Sequence, residues 1–208
     1  LERLAIYRGL GINRLSIGVQ SFRDDELKFL TRNHNAAQAK RSLEDARTAG
    51  FQNISLDLIF GLPGQTPQDW TANLHTALTF GPEHISVYNL TIEERTHLYK
   101  LVQQKKVKPQ DEELELTMFL ETITILNRAG YTHYEISNFA KADHESQHNS
   151  GYWNGKTYLG LGPSAHSYDG DRRWWNVRDI RKYNDAILVE NNFPVETAEE
   201  LSLKQKMI

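Results

Sequence analysis

The chain has no cysteine among its 208 residues. That absence excludes a disulfide framework and any metal or cluster site ligated by thiolates of its own, and it fits a cytoplasmic location. Long apolar runs are missing as well. No stretch approaches the roughly 20 consecutive apolar residues of a membrane-spanning helix, and no signal-peptide pattern opens the chain. A basic excess is also lacking: Lys and Arg number 24 against 27 Asp and Glu, for a net charge of −3. Nucleic-acid binders are usually strongly basic, so no nucleic-acid partner is expected.

What remains is an ordinary soluble composition, 39% apolar and 25% charged, in a chain long enough for one good core or one core with an appendage. It starts at Leu1 and stops at Met207-Ile208 within a pattern that reads as an unfinished helix. We therefore expect a piece of a longer polypeptide. The densest chemistry lies in His148–Trp153 and, close behind, Gly160–His166: two imidazoles, two large aromatics and a glycine-rich turn. That mixture suits a flat ligand or a metal better than a packing core.

Four segments align without gaps: Gly11–Ile17, Gly50–Leu56, Gly81–Val87 and Gly130–Ile136. Each glycine follows an amphipathic stretch, where it can adopt the left-handed conformation at a helix end, and precedes an apolar run that reads as a buried strand. Ser21–Asp24 and Asn35–Gln38 have capping-box spacing, and Thr66-Pro67 places a cap before a proline. Trp70, Leu74, Ala77 and Leu78 form a helical stripe, as do Leu116, Phe119, Leu120, Ile123 and Leu126. Helices alternating with strands predict βαβ units and a parallel sheet, either open or part of a barrel. The expected fold class is α/β: a partial parallel (β/α) barrel over 1–140, then a truncated α+β appendage over 141–208. The appendage should hold short strands at Thr157–Leu159 and Trp174–Val177 and a helix from about Asp179 to Val189.

In parallel α/β folds ligands sit at the carboxyl ends of the strands. Gln20, Asp57 and Asn89 fall at or near such ends, and Arg32 follows the first short helix. Asp57 interrupts an apolar run, so its carboxylate needs a partner or a function. Gly61–Pro67 is explained by turn chemistry alone. His144–His148 matches H-E-x-x-H, which binds zinc when a helix brings both imidazoles to one face and a third ligand is added. Asn149-Ser150-Gly151 follows at once and predicts a loop, which makes Glu145 a poor general base. Gly160-x-Gly162-x-x-Ala165 resembles a dinucleotide fingerprint but contains Pro163 and lies outside a βαβ unit, so a tight turn is the better reading. His148 is a candidate haem ligand because neutral imidazole binds iron and Tyr152, Trp153 and Tyr158 supply aromatic walls. His166 is a second candidate.

Asn13–Phe22 and Asp57–Thr66 together resemble the radical S-adenosylmethionine (SAM) proteins related to anaerobic coproporphyrinogen III dehydrogenase. Within that superfamily, His148-Asn149-x-x-Tyr152-Trp153 resembles the signature of the HemW-like haem chaperones. The resemblance implies the second half of a three-quarter (β/α)₆ barrel. It implies SAM contacts at Gln20, Arg32 and Asp57, with Asp57 on the ribose hydroxyls, and adenine contacts at Ile59 and Thr91. It implies haem contacts at His148, Asn149, Tyr152 and Trp153, with His148 on the iron. The expected function is a haem chaperone that passes haem to acceptor proteins, with SAM, haem and a [4Fe–4S] cluster as its ligands. The alternative is oxygen-independent coproporphyrinogen III oxidase (dehydrogenase); a zinc hydrolase using His144 and His148 is the remote one. Whether the parent is an enzyme is left open. The cluster motif of three cysteines is absent here, so this chain is expected to be inactive, to bind SAM weakly at best, and to leave a strand edge open on its flank.

Overall fold

A computed structural model describes residues 1–202, so the helix expected at Met207-Ile208 lies outside the described residues. The chain divides into two compact units, Leu1–Glu145 and a second beginning at Ser146.

The first unit opens with helix α1 (Glu2–Gly9) and strand β1 (Arg14–Gln20), followed by helices α2 (Asp24–Phe29) and α3 (Ala36–Thr48). Strand β2 (Asn53–Phe60), helix α4 (Pro67–Thr79) and strand β3 (His84–Asn89) come next. Helices α5 (His97–Gln103) and α6 (Glu112–Arg128) then lead to the short strands β4 (Thr132–His133) and β5 (Asn138–Ala140). The sheet order is β1-β2-β3-β5-β4. The anticipated glycines do end the helices: Gly11, Gly50, Gly81 and Gly130 have φ of 88°, 88°, 55° and 85°. Asn35 with Gln38 forms a complete capping box, as does Thr66 with Asp69.

β1, β2 and β3 run parallel, but the fourth repeat does not continue the pattern. Tyr134 donates its amide back to the Asn138 carbonyl at 3.2 Å, closing a tight hairpin. β5 consequently pairs antiparallel with both β3 and β4. His133 stacks flat on Phe139, ring centroids 4.3 Å apart, which fastens the hairpin shut. The sheet is therefore mixed, and β1 has a sheet neighbour on one side only among the described residues.

The helix side of the sheet is the core. Ile54, Leu56, Leu58, Phe60, Ile85 and Val87 pack with Leu43, Trp70, Leu74, Met118 and Leu126; each such burial contributes about 1.5–3 kcal/mol. Two local expectations are corrected. Ser21 does not cap α2, whose N-cap Arg23 makes no side-chain cap; its hydroxyl turns inward to Glu26. α6 buries Met118, Thr122 and Leu126, while Leu116 and Leu120 are more than half exposed. The buried Trp70 indole N–H selects that face, donating to Thr122 Oγ1 at 2.8 Å and to the Met118 carbonyl at 3.2 Å.

The second unit contains helix α7 (Gln147–Trp153), strands β6 (His166–Tyr168) and β7 (Arg172–Asn176), helix α8 (Ile180–Leu188) and strand β8 (Val195–Glu200). The strands form an antiparallel sheet in the order β6-β7-β8. Asp179 caps α8 by accepting from the amides of Arg181 and Lys182. The strand expected at Thr157–Leu159 is reduced to one bridge, Tyr158 to Tyr168. Gly160–Ala165 is a turn, as its proline suggested: a Cβ on Gly160 would lie 2.1 Å from the His166 carbonyl oxygen.

Candidate functional site

Side chains alternate across a strand, and here the alternation separates a greasy face from a polar one. Opposite the core lie Arg14, Ser16 and Gly18 of β1, Asn53, Ser55, Asp57 and Ile59 of β2, and His84, Ser86 and Tyr88 of β3. Cross-strand pairing arranges them in rows. Ser16, Ser55 and His84 form one row; Gly18, Asp57, Ser86 and Asn138 form the next. The Arg14 guanidinium donates to Asn53 Oδ1 and to the His144 carbonyl, both at 3.0 Å. Ser55 Oγ lies 2.7 Å from His84 Nδ1, and the Tyr134 hydroxyl lies 2.8 Å from His84 Nε2.

The titration behaviour of this face follows from burial. Burial, then the Arg14 charge, lowers the His84 pKa to about 4, so its imidazole is neutral. Burial raises the Asp57 carboxyl, although Ser86, Ser16 and Arg14 all favour its ionised form. Ser16 Oγ stands 3.3 Å from both Asp57 oxygens. A carboxylate incompletely satisfied in this way has acceptor capacity left for a ligand's hydroxyls. Asn138 Oδ1, in the same row, is buried and accepts no hydrogen bond among the described residues.

Gln20 ends β1 with φ at 67°. Its amide folds over Gly18, where a Cβ would lie 2.6 Å from Gln20 Nε2. Gln20, Asp57 and Ile59 therefore come together at the carboxyl end of neighbouring strands. Thr91 lies two residues beyond β3, and Arg32 lies between α2 and α3; both are exposed. The turns that follow β1 and β2 are braced by Glu26, which is only 7% exposed. Its carboxylate accepts from Gln65 Nε2 at 3.0 Å, Asn73 Nδ2 at 2.9 Å and the Ser21 hydroxyl. Gln65 Oε1 in turn accepts the Gly61 amide at 3.0 Å. One buried carboxylate thus ties the turn after β1 to the turn after β2.

In the second unit, His148–Trp153 is helical, not the loop its Asn149-Ser150-Gly151 run suggested. Ser146 caps the helix, its side chain accepting from the Asn149 amide, and this offsets the weak helix formers that follow. His148 and Tyr152 share a face, with Tyr152 Oη 3.0 Å from His148 Nε2. Tyr152 and Trp153 are 48% and 53% exposed, so both aromatics are presented to solvent. Asn149 is half-buried. His144 precedes the helix, with Nδ1 2.8 Å from the Ala142 carbonyl. The single helix that H-E-x-x-H requires is therefore absent, and no group of three or more metal-ligating side chains occurs among the described residues. His166 stacks on Trp175 at 5.3 Å.

The radical SAM superfamily model matches residues 1–77. The chain's first 77 residues are thus similar to part of a radical SAM domain. Over 99% of its length the chain is 42% identical to a protein named haem chaperone HemW from Bacillus subtilis, covering 54% of that protein. It is 34% identical to another HemW from Mycobacterium tuberculosis over 96% of its length and 51% of the relative's. Among solved structures it superposes on the radical SAM enzyme coproporphyrinogen III oxidase (HemN) from Escherichia coli with a TM-score of 0.76 at 27% identity, covering 97% of this chain and 49% of that one. The chain thus spans about half the length of the curated relatives it matches.

The segment similar to radical SAM domains fits half of the cofactor chemistry that this likeness implies. Asp57 has acceptor capacity to spare on the polar face, which suits the hydroxyl donors of a nucleoside. A [4Fe–4S] cluster needs thiolates, and these 208 residues contain none. Arg14, Ser16, Ser55, His84, Ser86, Tyr134 and Asn138 complete this side of the sheet and are not among the residues that the sequence motifs single out. The signal was available for three strands: three and five residues past each glycine stands a polar side chain, with an apolar one between.

Proposed function

We propose that the chain is part of a haem chaperone built on a radical SAM scaffold. The observation that carries this reading is α7, a capped helix that holds an imidazole and a phenol in contact and presents two large aromatics to solvent. Those groups supply a donor for iron and flat walls for a porphyrin. The resemblance nominates His148, Asn149, Tyr152 and Trp153 for this role. The printed names of relatives matching over nearly the whole chain support the same reading. Acceptor proteins are the partners it implies, and the cytoplasm is the compartment it implies. No helix among the described residues is long and apolar enough to cross a membrane.

SAM is the ligand proposed for the polar sheet face. Asp57 accepts the ribose hydroxyls, Gln20 and Ile59 flank it, and Arg32 and Thr91 contribute from the neighbouring connections. When bound beside a cluster, SAM is a source of a carbon radical; in this chain the residues bind and orient it. Their weak point is the absence of cluster ligands, so the 208 residues are expected to bind SAM weakly and to cleave none of it.

The second reading, coproporphyrinogen III oxidase, is favoured by the superposition on HemN. A two-part assay of the polypeptide in its full natural length separates the two. A chaperone loaded with ferric haem passes it to apomyoglobin, added as a surrogate acceptor, and forms no protoporphyrinogen IX from coproporphyrinogen III, SAM and reductant. Product formation without haem uptake would establish the oxidase and remove the chaperone.

A further inference from the structure

We propose that iron is bound through the phenolic oxygen of Tyr152, with His148 as the base that takes its proton. This rests on the haem reading above and names the ligand atom within it.

The argument begins with the helix. His148 and Tyr152 stand four residues apart, the spacing that brings side chains together on one face. Their rings meet edge to face at 4.9 Å and 85°, and Tyr152 Oη is 3.0 Å from His148 Nε2. With Nε2 in its bare tautomer, the phenol donates and the imidazole accepts. The lone pair that His148 would offer iron is then already engaged, whereas a donating phenol keeps two lone pairs on its oxygen.

The surroundings hold Tyr152 rather than His148 in place. Tyr158 packs edge-on against the Tyr152 ring at 4.7 Å and 78°. Tyr158 is itself fixed by two backbone hydrogen bonds with Tyr168, both 2.9 Å. A cleft of about 180 Å³ beside the pair is lined by His148, Gly151, Tyr152, Lys156 and Tyr158. The Lys156 stem crosses Gly151, where a Cβ would stand 3.8 Å from Lys156 Cδ. An ammonium at the edge of this cleft suits a haem propionate.

The binding step is a ligand exchange. The water on ferric haem leaves, the Fe–O(Tyr152) bond forms and the phenolic O–H bond breaks. The proton passes to His148 Nε2, and no electron moves. The resulting imidazolium remains hydrogen-bonded to the bound oxygen, as outer partners of metal ligands commonly do. An anionic oxygen ligand favours iron(III) over iron(II), so a one-electron chemical reductant such as dithionite should loosen the bond.

The test uses the 208-residue chain, ferric haem, and the variants Tyr152→Phe, His148→Ala and His148→Gln, with folding checked by circular dichroism. Resonance Raman spectra of the wild type should show phenolate modes enhanced through an iron charge-transfer band. Tyr152→Phe should lose them and bind haem at least ten-fold more weakly. Both His148 variants should keep the modes at reduced affinity, and dithionite should release haem from the wild type. A Tyr152→Phe spectrum identical to wild type, with ligation lost in His148→Ala, overturns the inference and leaves the haem reading standing. No haem uptake by the wild type, or no effect of any variant, overturns both.

Discussion

His84 makes the polar sheet face sensitive to acid. In the folded chain its pKa lies at about 4 instead of 6.5, because burial and the Arg14 charge both oppose an imidazolium. The hydroxyls of Ser55 and Tyr134 occupy its two nitrogens, at 2.7 and 2.8 Å. Above the unfolded value the imidazole is neutral in both states and costs nothing. Between 6.5 and about 4 the unfolded chain takes up a proton that the fold refuses, so stability falls as the pH falls. The full interval corresponds to about 3 kcal/mol, a large share of the roughly 5–15 kcal/mol that holds a domain together. The assay is urea denaturation of wild type and His84→Asn at pH 7, 5.5 and 4, with amide exchange of β2 and β3 as a local probe of the first unit. The variant begins less stable because it lacks two hydrogen bonds. Its loss between pH 7 and pH 4 should nevertheless be smaller than that of the wild type by about 3 kcal/mol. Parallel curves for the two proteins would refute the reasoning, since they would mean that His84 titrates alike in both states.

Three further substitutions probe the rest of the first unit. Glu26→Gln turns one acceptor towards the donors of Gln65 and Asn73 into a competing donor, and a denaturation midpoint should report a loss of about 1–3 kcal/mol. Gly61→Ala puts a Cβ 2.3 Å from Asn89 Oδ1 at φ +75°; it should cost about 1–3 kcal/mol, and adding Asn89→Ala should recover the steric part. Asp57→Asn removes a carboxylate that burial disfavours, so thermal denaturation at pH 7 should show a gain of about 1 kcal/mol, while calorimetry should show weaker binding of SAM by the full-length polypeptide.

The elements that local chemistry specifies were legible. Glycines at helix ends, the Asn35 and Thr66 caps and the apolar runs of β1 to β3 need only neighbouring residues to act. The sheet's last two strands were not, because the turn at Tyr134–Ser137 is closed by contacts such as His133 on Phe139, which periodicity does not show. α7 is hidden in the sequence for a related reason: Asn149, Ser150 and Gly151 are weak helix formers, and one cap at Ser146 outweighs them. On α6 the apolar stripe pointed to Leu116 and Leu120, but the buried Trp70 indole needed an acceptor and drew Thr122 inward. The site residues named from the resemblance, Gln20, Asp57 and Ile59, share one end of one face. The hydroxyls and the imidazole that line that face were hidden in the alternation of their strands.

The central claim is that haem is held by α7 of the second unit. An iron anomalous difference map from crystals of the haem-loaded chain tests it most directly. The account predicts a single iron peak within bonding distance of Tyr152 or His148, with Trp153 against the porphyrin. A peak over the polar face of the first unit's sheet, or on His166 and Trp175 instead, would contradict it.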